Sequence, residues 1–538
     1  MRRKKMAHVG IVLASIALLA GCTNAGHDDS GAGNGESSNS TEVRPVIQPA
    51  VSVSQGDLVG ASTDGVREYL GIPFAKPPVG ELRWKAPEPA DPWEGTLDAT
   101  KPGPDCAQQI GGDSDGSLSE NCLYLNVYTP DAETKDLPVV VFIHGGGYTA
   151  GTPNIYDGSR MAETGDAVVV VPAYRLGFFG FFSSEGTAAE GEYGMSGNWG
   201  ILDQQQALRW VQENITAFGG DPNNVTIVGE SAGGGAVCAQ LASPTAEGLF
   251  HKAIVQSMGC SIPDTPRDMT EQIKSWGCEP GDMSCLREVP TDKIVATAAG
   301  FDLTNPVAGG PELPLPTLTA ASEGTLAKVP IMVGVTRDEW QGFLSGNYPM
   351  SVADYESAVT ADYGADAPQL LEKYPADRGD DPSLSLGWLV GDSFIICPAY
   401  GSAQTFVDGG YDVYFYEFAD ETAPGFRSLG DPFPPSTRHL GATHTSELVY
   451  LFDYQATQRK LNAEQEGLAA EMVSRWINFA KTGEPTFEGG TEWKPFDGTS
   501  VLELATAEAG GSTMVSDFSD RHQCEFWNSA SGASQSQD

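Results

Sequence analysis

The pentapeptide Gly229-Glu230-Ser231-Ala232-Gly233 follows directly on Asn224-Val-Thr-Ile-Val228, a short β-branched run. An apolar strand that turns at once into a helix leaves no space for a side chain two residues before and two residues after the apex. Those are the places of the two glycines. Such a turn commits the chain to a sheet with a helix packed on it. It also lifts Ser231 above the sheet edge, where a histidine and an electrophilic carbon can both reach its hydroxyl. In a chain with 64 glycines a five-residue pattern is a modest signal, and an ordinary Gly-rich turn would match it too. The rest of the chain has to decide.

Further apolar runs occur at Leu137–Ile143, Ala167–Pro172, Val225–Val228, Ala253–Gln256, Pro330–Val335 and Val413–Glu417. Between them lie helical patterns. Ile201 to Phe218 is apolar at Leu202, Leu208, Val211 and Ile215, and Glu466 to Thr482 carries Leu468, Met472, Trp476 and Phe479 before stopping at Gly483. Alternation of strand and helix predicts an α/β fold, a mostly parallel central sheet with helices on both faces. The Pro- and Gly-rich stretch from about 260 to 325 reads as insertions above the C-terminal strand ends. At 538 residues the length suggests several domains, yet no internal linker is visible, so residues 48–527 are read as one large domain.

The chain carries 72 Asp and Glu against 31 Lys and Arg, a formal net charge of −41. Phosphates are repelled by such a surface, so nucleic acid is not an expected partner. Residues 1–21 read as a signal peptide: Arg2-Arg-Lys-Lys5 is basic, and Val9 to Ala20 is an apolar stretch too short to span a membrane comfortably. Leu19-Ala20-Gly21-Cys22 resembles a bacterial lipoprotein cleavage box, with Cys22 as the lipidated residue. Residues 22–47 are polar and Gly/Ser-rich and read as a flexible tether, and residues 528–538 as a disordered tail. The expected location is the outer face of the cell membrane, held by lipid. Eight further cysteines would then sit in an oxidising compartment. Sequence proximity pairs Cys106 with Cys122 and Cys278 with Cys285, and Cys397–Cys524 would form a long-range clasp. Cys238 and Cys260 are left as buried thiols.

A serine hydroxyl needs a base, and the base needs an orienting carboxylate. For a strand–turn–helix serine the chain order is Ser, acid, His. Of seven histidines, His8 and His27 lie in the signal and tether, while His144 and His251 precede any acid downstream of Ser231. His522 adjoins Cys524. His444, in the small-residue loop Gly441-Ala-Thr-His-Thr-Ser-Glu-Leu448, is preferred over His439, which is followed by bulky Leu440. Asp338 and Glu339 both stand just beyond the apolar run Val329–Gly334, where a carboxylate points into the crevice of an α/β sheet. Val139–Ile143 runs into His144-Gly145-Gly146-Gly147-Tyr148, and bare glycine amides there, with the amide of Ala232, can donate to a carbonyl oxygen that becomes anionic. This chemistry needs neither metal nor cofactor.

Several longer motifs, in order across residues 50–527, carry a resemblance. They are Tyr69-Leu-Gly-Ile-Pro-Phe-Ala75, Ser119-Glu-Asn-Cys-Leu-Tyr-Leu-Asn126, the glycine run, Asn198-Trp-Gly-Ile-Leu-Asp-Gln-Gln205, the serine turn, and Trp476-Ile-Asn-Phe-Ala-Lys-Thr-Gly483. The chain resembles the type-B carboxylesterases of the cholinesterase family. The resemblance implies an α/β-hydrolase fold, Ser231 as nucleophile, Glu339 rather than Asp338 as acid, and His444 as base. It further implies Gly146, Gly147 and Ala232 as the oxyanion hole, Glu230 and Ser257 as polar neighbours of the triad, and the three cysteine pairs above. A small-molecule ester is the implied substrate. Gly112 stands where cholinesterases carry a choline-stacking tryptophan, which removes the aromatic face a quaternary ammonium needs. Asn121 also departs from the family's acidic residue. Non-catalytic relatives exist, and the same triad can serve carbamates, amides or thioesters.

Overall fold

Runs too apolar to face water on either side become strands buried on both faces. In the computed structural model, residues 49–535 are described except 111–115, 132–133, 192–196, 265–266, 298–303, 425–439 and 455–459. The expectations for the signal, Cys22, the tether, Gly112 and His439 lie outside the described residues.

The main sheet has eleven strands over the described residues: β1 Ala61–Thr63, β2 Val66–Pro73, β3 Tyr124–Pro130, β4 Leu137–Ile143, β5 Val168–Pro172, β6 Gly220–Glu230, β7 Lys252–Gln256, β8 Ile331–Thr336, β9 Val413–Phe418, β10 Val501–Leu504 and β11 Thr513–Val515. Their spatial order is β11-β10-β9-β8-β7-β6-β4-β5-β3-β2-β1. Every pairing from β5 through β10 is parallel. The pairings at both edges are antiparallel. The six apolar runs read from the sequence are the six central strands, and β4, β5, β7, β8 and β9 are buried at every residue. Continuous burial is the signature of parallel strands covered on both sides.

Side chains alternate between the two layers. Along β4, Val139, Val141 and Ile143 pack with Leu208, Val211, Val237 and Leu241. Those four come from α1, Trp199–Asn214, and α2, Ala232–Leu241. Val140 and Phe142 face the other way, onto a layer containing Leu468, Met472, Trp476 and Phe479. The far side of the first layer is completed by α3, Cys397–Asp408, and the second layer is built on α4, Ala463–Thr482. An Asn462–Gln465 capping box starts α4, and Gly483 in the left-handed conformation ends it, where the sequence predicts the stop. The expected helix over 201–218 is α1 followed by a 3₁₀ turn at Ile215–Phe218.

Two expectations are corrected. Cys238 and Cys260 are not thiols; they form a fourth disulfide beside Cys106–Cys122, Cys278–Cys285 and Cys397–Cys524. Cys238 lies on α2 after β6, and Cys260 lies in the loop after β7. The parallel pairing of those neighbouring strands brings their Cα atoms to 5.4 Å. The other correction concerns the tail. A final helix, α5 at Cys524–Gln535, enters the segment expected to be disordered from residue 528.

Candidate active site

The serine turn has the geometry its glycines demand. A methyl group on Gly229 would come within 2.2 Å of the Gly233 carbonyl oxygen, and one on Gly233 within 2.0 Å of the Ile143 oxygen. Neither clash can be relieved by a side-chain movement, since both partners are backbone. Ser231 is held at φ 56°, ψ −125°, a conformation that side chains rarely adopt and that tertiary structure must enforce. Its N–H donates to the Gln256 oxygen of β7 at 2.9 Å, and its carbonyl accepts from Gly235 N–H as α2 begins.

Glu339 and His444, the expected acid and base, follow the neighbouring strands β8 and β9. Glu339 follows β8, is fully buried, and accepts from Thr336 N–H through Oε1 at 2.9 Å. Its Oε2 lies 2.6 Å from His444 Nδ1. Asp338, the alternative by position, serves the same loop differently. It accepts from Ala442 N–H at 2.9 Å and from Trp388 Nε1–H at 2.7 Å, clamping the histidine loop without touching the imidazole. Burial above all pushes the Asp338 carboxyl up to about 6, against those two hydrogen bonds.

The other imidazole nitrogen, His444 Nε2, lies 3.1 Å from Glu230 Oε1. Burial alone would lower the His444 pKa; Glu230, Glu339 and Glu447 outweigh it and raise it to about 9. Carboxylates thus flank both nitrogens, Glu339 through a hydrogen bond and Glu230 through an ion-pair contact, and both favour the charged imidazole. An imidazolium has no lone pair on Nε2 for the serine hydroxyl to donate to. Deprotonation frees the Nε2 lone pair for the serine hydroxyl. We therefore predict that kcat/KM rises with pH through a midpoint above the ordinary histidine value of about 6.5. Glu230→Gln removes one stabilising charge, so the midpoint should move to lower pH. A full pH profile of both enzymes checks this, and an unmoved midpoint would contradict it. The same sign governs stability: what His444 gains from its carboxylates is present below about 6.5 and lost as pH climbs through about 9.

Glu447 escaped the sequence reading. It is fully buried, and its Oε1 accepts from Gln256 Nε2–H at 3.1 Å. Burial, reinforced by Glu230 and Glu339, pushes its carboxyl well above the usual range. The available signal was its place three residues after His444 at the start of a helical turn. Ser257 is also fully buried, at φ 53°, and its N–H donates to the Gly334 oxygen at 2.8 Å. His522 is a second buried histidine between carboxylates, 2.6 Å from Asp392 and 2.8 Å from Glu417. It ties the C-terminal segment to the turn that precedes α3 and to β9, through Asp392 and Glu417.

The glycine run closes the site from β4. Gly146 sits at φ 103°, and a methyl group there would come within 2.1 Å of the Ala150 oxygen. Gly147, Ala232, Ser231 and His444 line one cavity of about 360 Å³. Its remaining wall includes Tyr148, Met258, Ile262, Trp340, Phe343 and Phe394, and among the described residues no Asp, Glu, Lys or Arg side chain lines it. An aromatic run leads outward from the histidine: Phe343 lies 5.4 Å from His444, Trp340 4.5 Å from Phe343, and Phe394 5.1 Å from Trp340. Among the described residues no cluster of three or more His, Cys, Asp and Glu could hold a metal ion.

Sheet, serine turn and histidine–carboxylate pair define an α/β hydrolase. The sequence profile of the carboxylesterase family matches residues 47–527. The chain is 38% identical to pyrethroid hydrolase Ces2e of Rattus norvegicus, over 80% of this chain and 81% of the relative. It is 34% identical to the para-nitrobenzyl esterase of Bacillus subtilis (strain 168), over 81% and 91% of the two chains. Among solved structures, the carboxylesterase Est55 of Geobacillus stearothermophilus superposes with a TM-score of 0.74 at 32% identity, covering 88% of this chain and 99% of that one. The chain belongs to the carboxylesterase family and is a carboxylic ester hydrolase.

Proposed function

We propose that the chain hydrolyses uncharged carboxylic esters through an acyl-enzyme on Ser231. The observation that carries the reading is His444, bonded to Glu339 on one side and lining, on the other, the cavity that holds Ser231. Once Nε2 is neutral, it takes the Ser231 proton as Oγ attacks the ester carbonyl. Gly146, Gly147 and Ala232 donate backbone N–H groups to the oxygen that becomes negative. The imidazolium then protonates the departing alkoxide, leaving the acyl group on Ser231. Water, deprotonated by the same Nε2, releases the acid and restores the serine. Glu339 keeps Nδ1 protonated and stabilises the imidazolium throughout, while Glu230 holds Nε2–H in the resting state.

The apolar lining selects the substrate. A free carboxylate or ammonium entering this cavity would lose its hydration with no Asp, Glu, Lys or Arg side chain to replace it, and the charge of His444 is already balanced by Glu339 and Glu230. A neutral p-nitrophenyl butyrate should therefore exceed p-nitrophenyl hemisuccinate in kcat/KM by about two orders of magnitude, the scale of ~3 kcal/mol for an unpaired buried charge. Equal rates would refute the selection. The same arrangement serves carbamates, amides or thioesters only if their leaving groups are expelled as readily, and matched p-nitrophenyl and anilide substrates separate these.

We further infer that the chain works outside the cell membrane, held by lipid on Cys22 at the end of the 22–47 tether. The basic and apolar leader, the Leu-Ala-Gly-Cys sequence and the net charge of −41 support this reading. Cys22→Ser should move the protein from the membrane fraction to the soluble one; unchanged fractionation would contradict it.

A further inference from the structure

The fourth disulfide stands between the nucleophile's helix and the wall of the substrate cavity. Cys238 lies on α2 seven residues after Ser231, about two helical turns along. Cys260 is bracketed by Gly259 and Ser261, and the run from Met258 to Pro263 lines the cavity at every residue except Cys260. That run has no regular secondary structure of its own. It leaves β7 at Ser257 and is pressed between α2 and α3. The Met258 side chain lies where methyl groups on Gly234 and Gly235 of α2 would meet it, at 3.1 and 3.6 Å, and Gly259 packs against Pro398 of α3. Cys260 N–H donates to Ser402 Oγ of α3 at 3.0 Å, and Pro263 O accepts from Ala308 N–H at 2.8 Å. Both half-cystines are buried to 1% exposure or less.

We propose that the Cys238–Cys260 disulfide sets substrate specificity. It ties the Met258–Pro263 wall to the helix that presents Ser231, and so fixes how large a group fits beside the nucleophile. The two cysteines are positioning residues; neither touches the reacting atoms. The inference rests on the assignment of Ser231 and its cavity as the ester site. Loops hold catalytic and binding groups less rigidly than helices or strands do, so a covalent brace acts where the wall is weakest. A wall free to withdraw admits longer chains, which changes KM for large substrates while leaving the attack on small ones intact.

The test is the C238A/C260A variant, assayed with two chain-length series, one varied in the acyl part and one in the alcohol part. Active-site titration with a fluorophosphonate should show Ser231 fully reactive, with kcat for the shortest esters held. The long-to-short ratio of kcat/KM should shift by about threefold or more in at least one series, through KM. Unchanged ratios in both series would overturn the proposal, as would free thiols at Cys238 and Cys260 in non-reducing peptide maps of the parent enzyme. Should the double variant fail to fold, C238V/C260A, which refills part of the volume the sulfur atoms leave, takes its place. It should move the ratio in the same direction, and an unmoved ratio overturns the proposal equally. A parent enzyme that is not phosphonylated at Ser231 instead refutes the site assignment, a distinct result.

Discussion

Ser231→Ala should lower kcat/KM for a p-nitrophenyl ester by about a millionfold and leave the fold intact, because its hydroxyl is the group proposed to form the covalent bond. The size of the loss follows from two-step chemistry. Without the serine the cavity can still bind the ester and the glycine amides can still polarise its carbonyl, yet attack falls to unactivated water. That residual catalysis is worth about three to four orders of magnitude over solution, so activity should not vanish entirely. Alanine costs the turn little. Ser231 already sits at φ 56°, and its tertiary bonds, to Gln256 O and from Gly235 N–H, are made by the backbone. Denaturant midpoints of the two proteins should agree closely. A variant with a tenth of parental activity would contradict the assignment.

Glu339→Gln should cost about ten thousandfold in kcat/KM with little change in KM. The carboxylate accepts from His444 Nδ1 at 2.6 Å and from Thr336 N–H at 2.9 Å, with no solvent access. An amide can turn only one oxygen to one of these partners. If it keeps Thr336, its NH₂ faces Nδ1 and forces the imidazole into the tautomer whose Nε2 carries the proton, which cannot accept from serine. The change also removes a charge that stabilises the imidazolium, so the pH midpoint should fall as the rate collapses. Asp338→Asn is the informative contrast. Asp338 holds Ala442 and Trp388 rather than the imidazole, so that substitution should affect stability more than the pH profile. Equal losses of activity at the two positions would remove the distinction between them.

That pair of neighbours also shows where the sequence is legible and where it stops. Position beyond an apolar strand nominated both carboxylates, because any side chain there reaches the crevice. Which of the two turns to the histidine depends on the path of a loop about a hundred residues away, and no local pattern encodes it. The resemblance to known esterases carried that choice. The central strands were readable for a simple reason: burial on both faces leaves no polar register to mask them, as in Leu137–Ile143. The edge strands were not. Ala61–Thr63 and Thr513–Val515 are three residues long and partly exposed, which turns and loops also satisfy. Serine turn and glycine run were legible because their backbones come too close for any side chain.

The misreadings have the same origin. Cys238 and Cys260 are 22 residues apart across a strand crossover, and only parallel pairing of β6 with β7 makes them neighbours. Glu447 joins Glu230 and Glu339 around one imidazole although the three are far apart along the chain. A buried carboxylate reads in sequence like any solvated one, and its effect on His444 emerges from three elements converging.

The central claim is that Ser231 is the nucleophile, activated by His444. The most direct measurement is intact-protein mass after stoichiometric reaction with a fluorophosphonate ester, followed by peptide mapping. One adduct per chain on Ser231, with loss of esterase activity in proportion to labelling and slowed labelling in Glu339→Gln, is the predicted result. Full esterase activity with Ser231 unmodified, or an adduct on another residue that tracks the loss of activity, would contradict it.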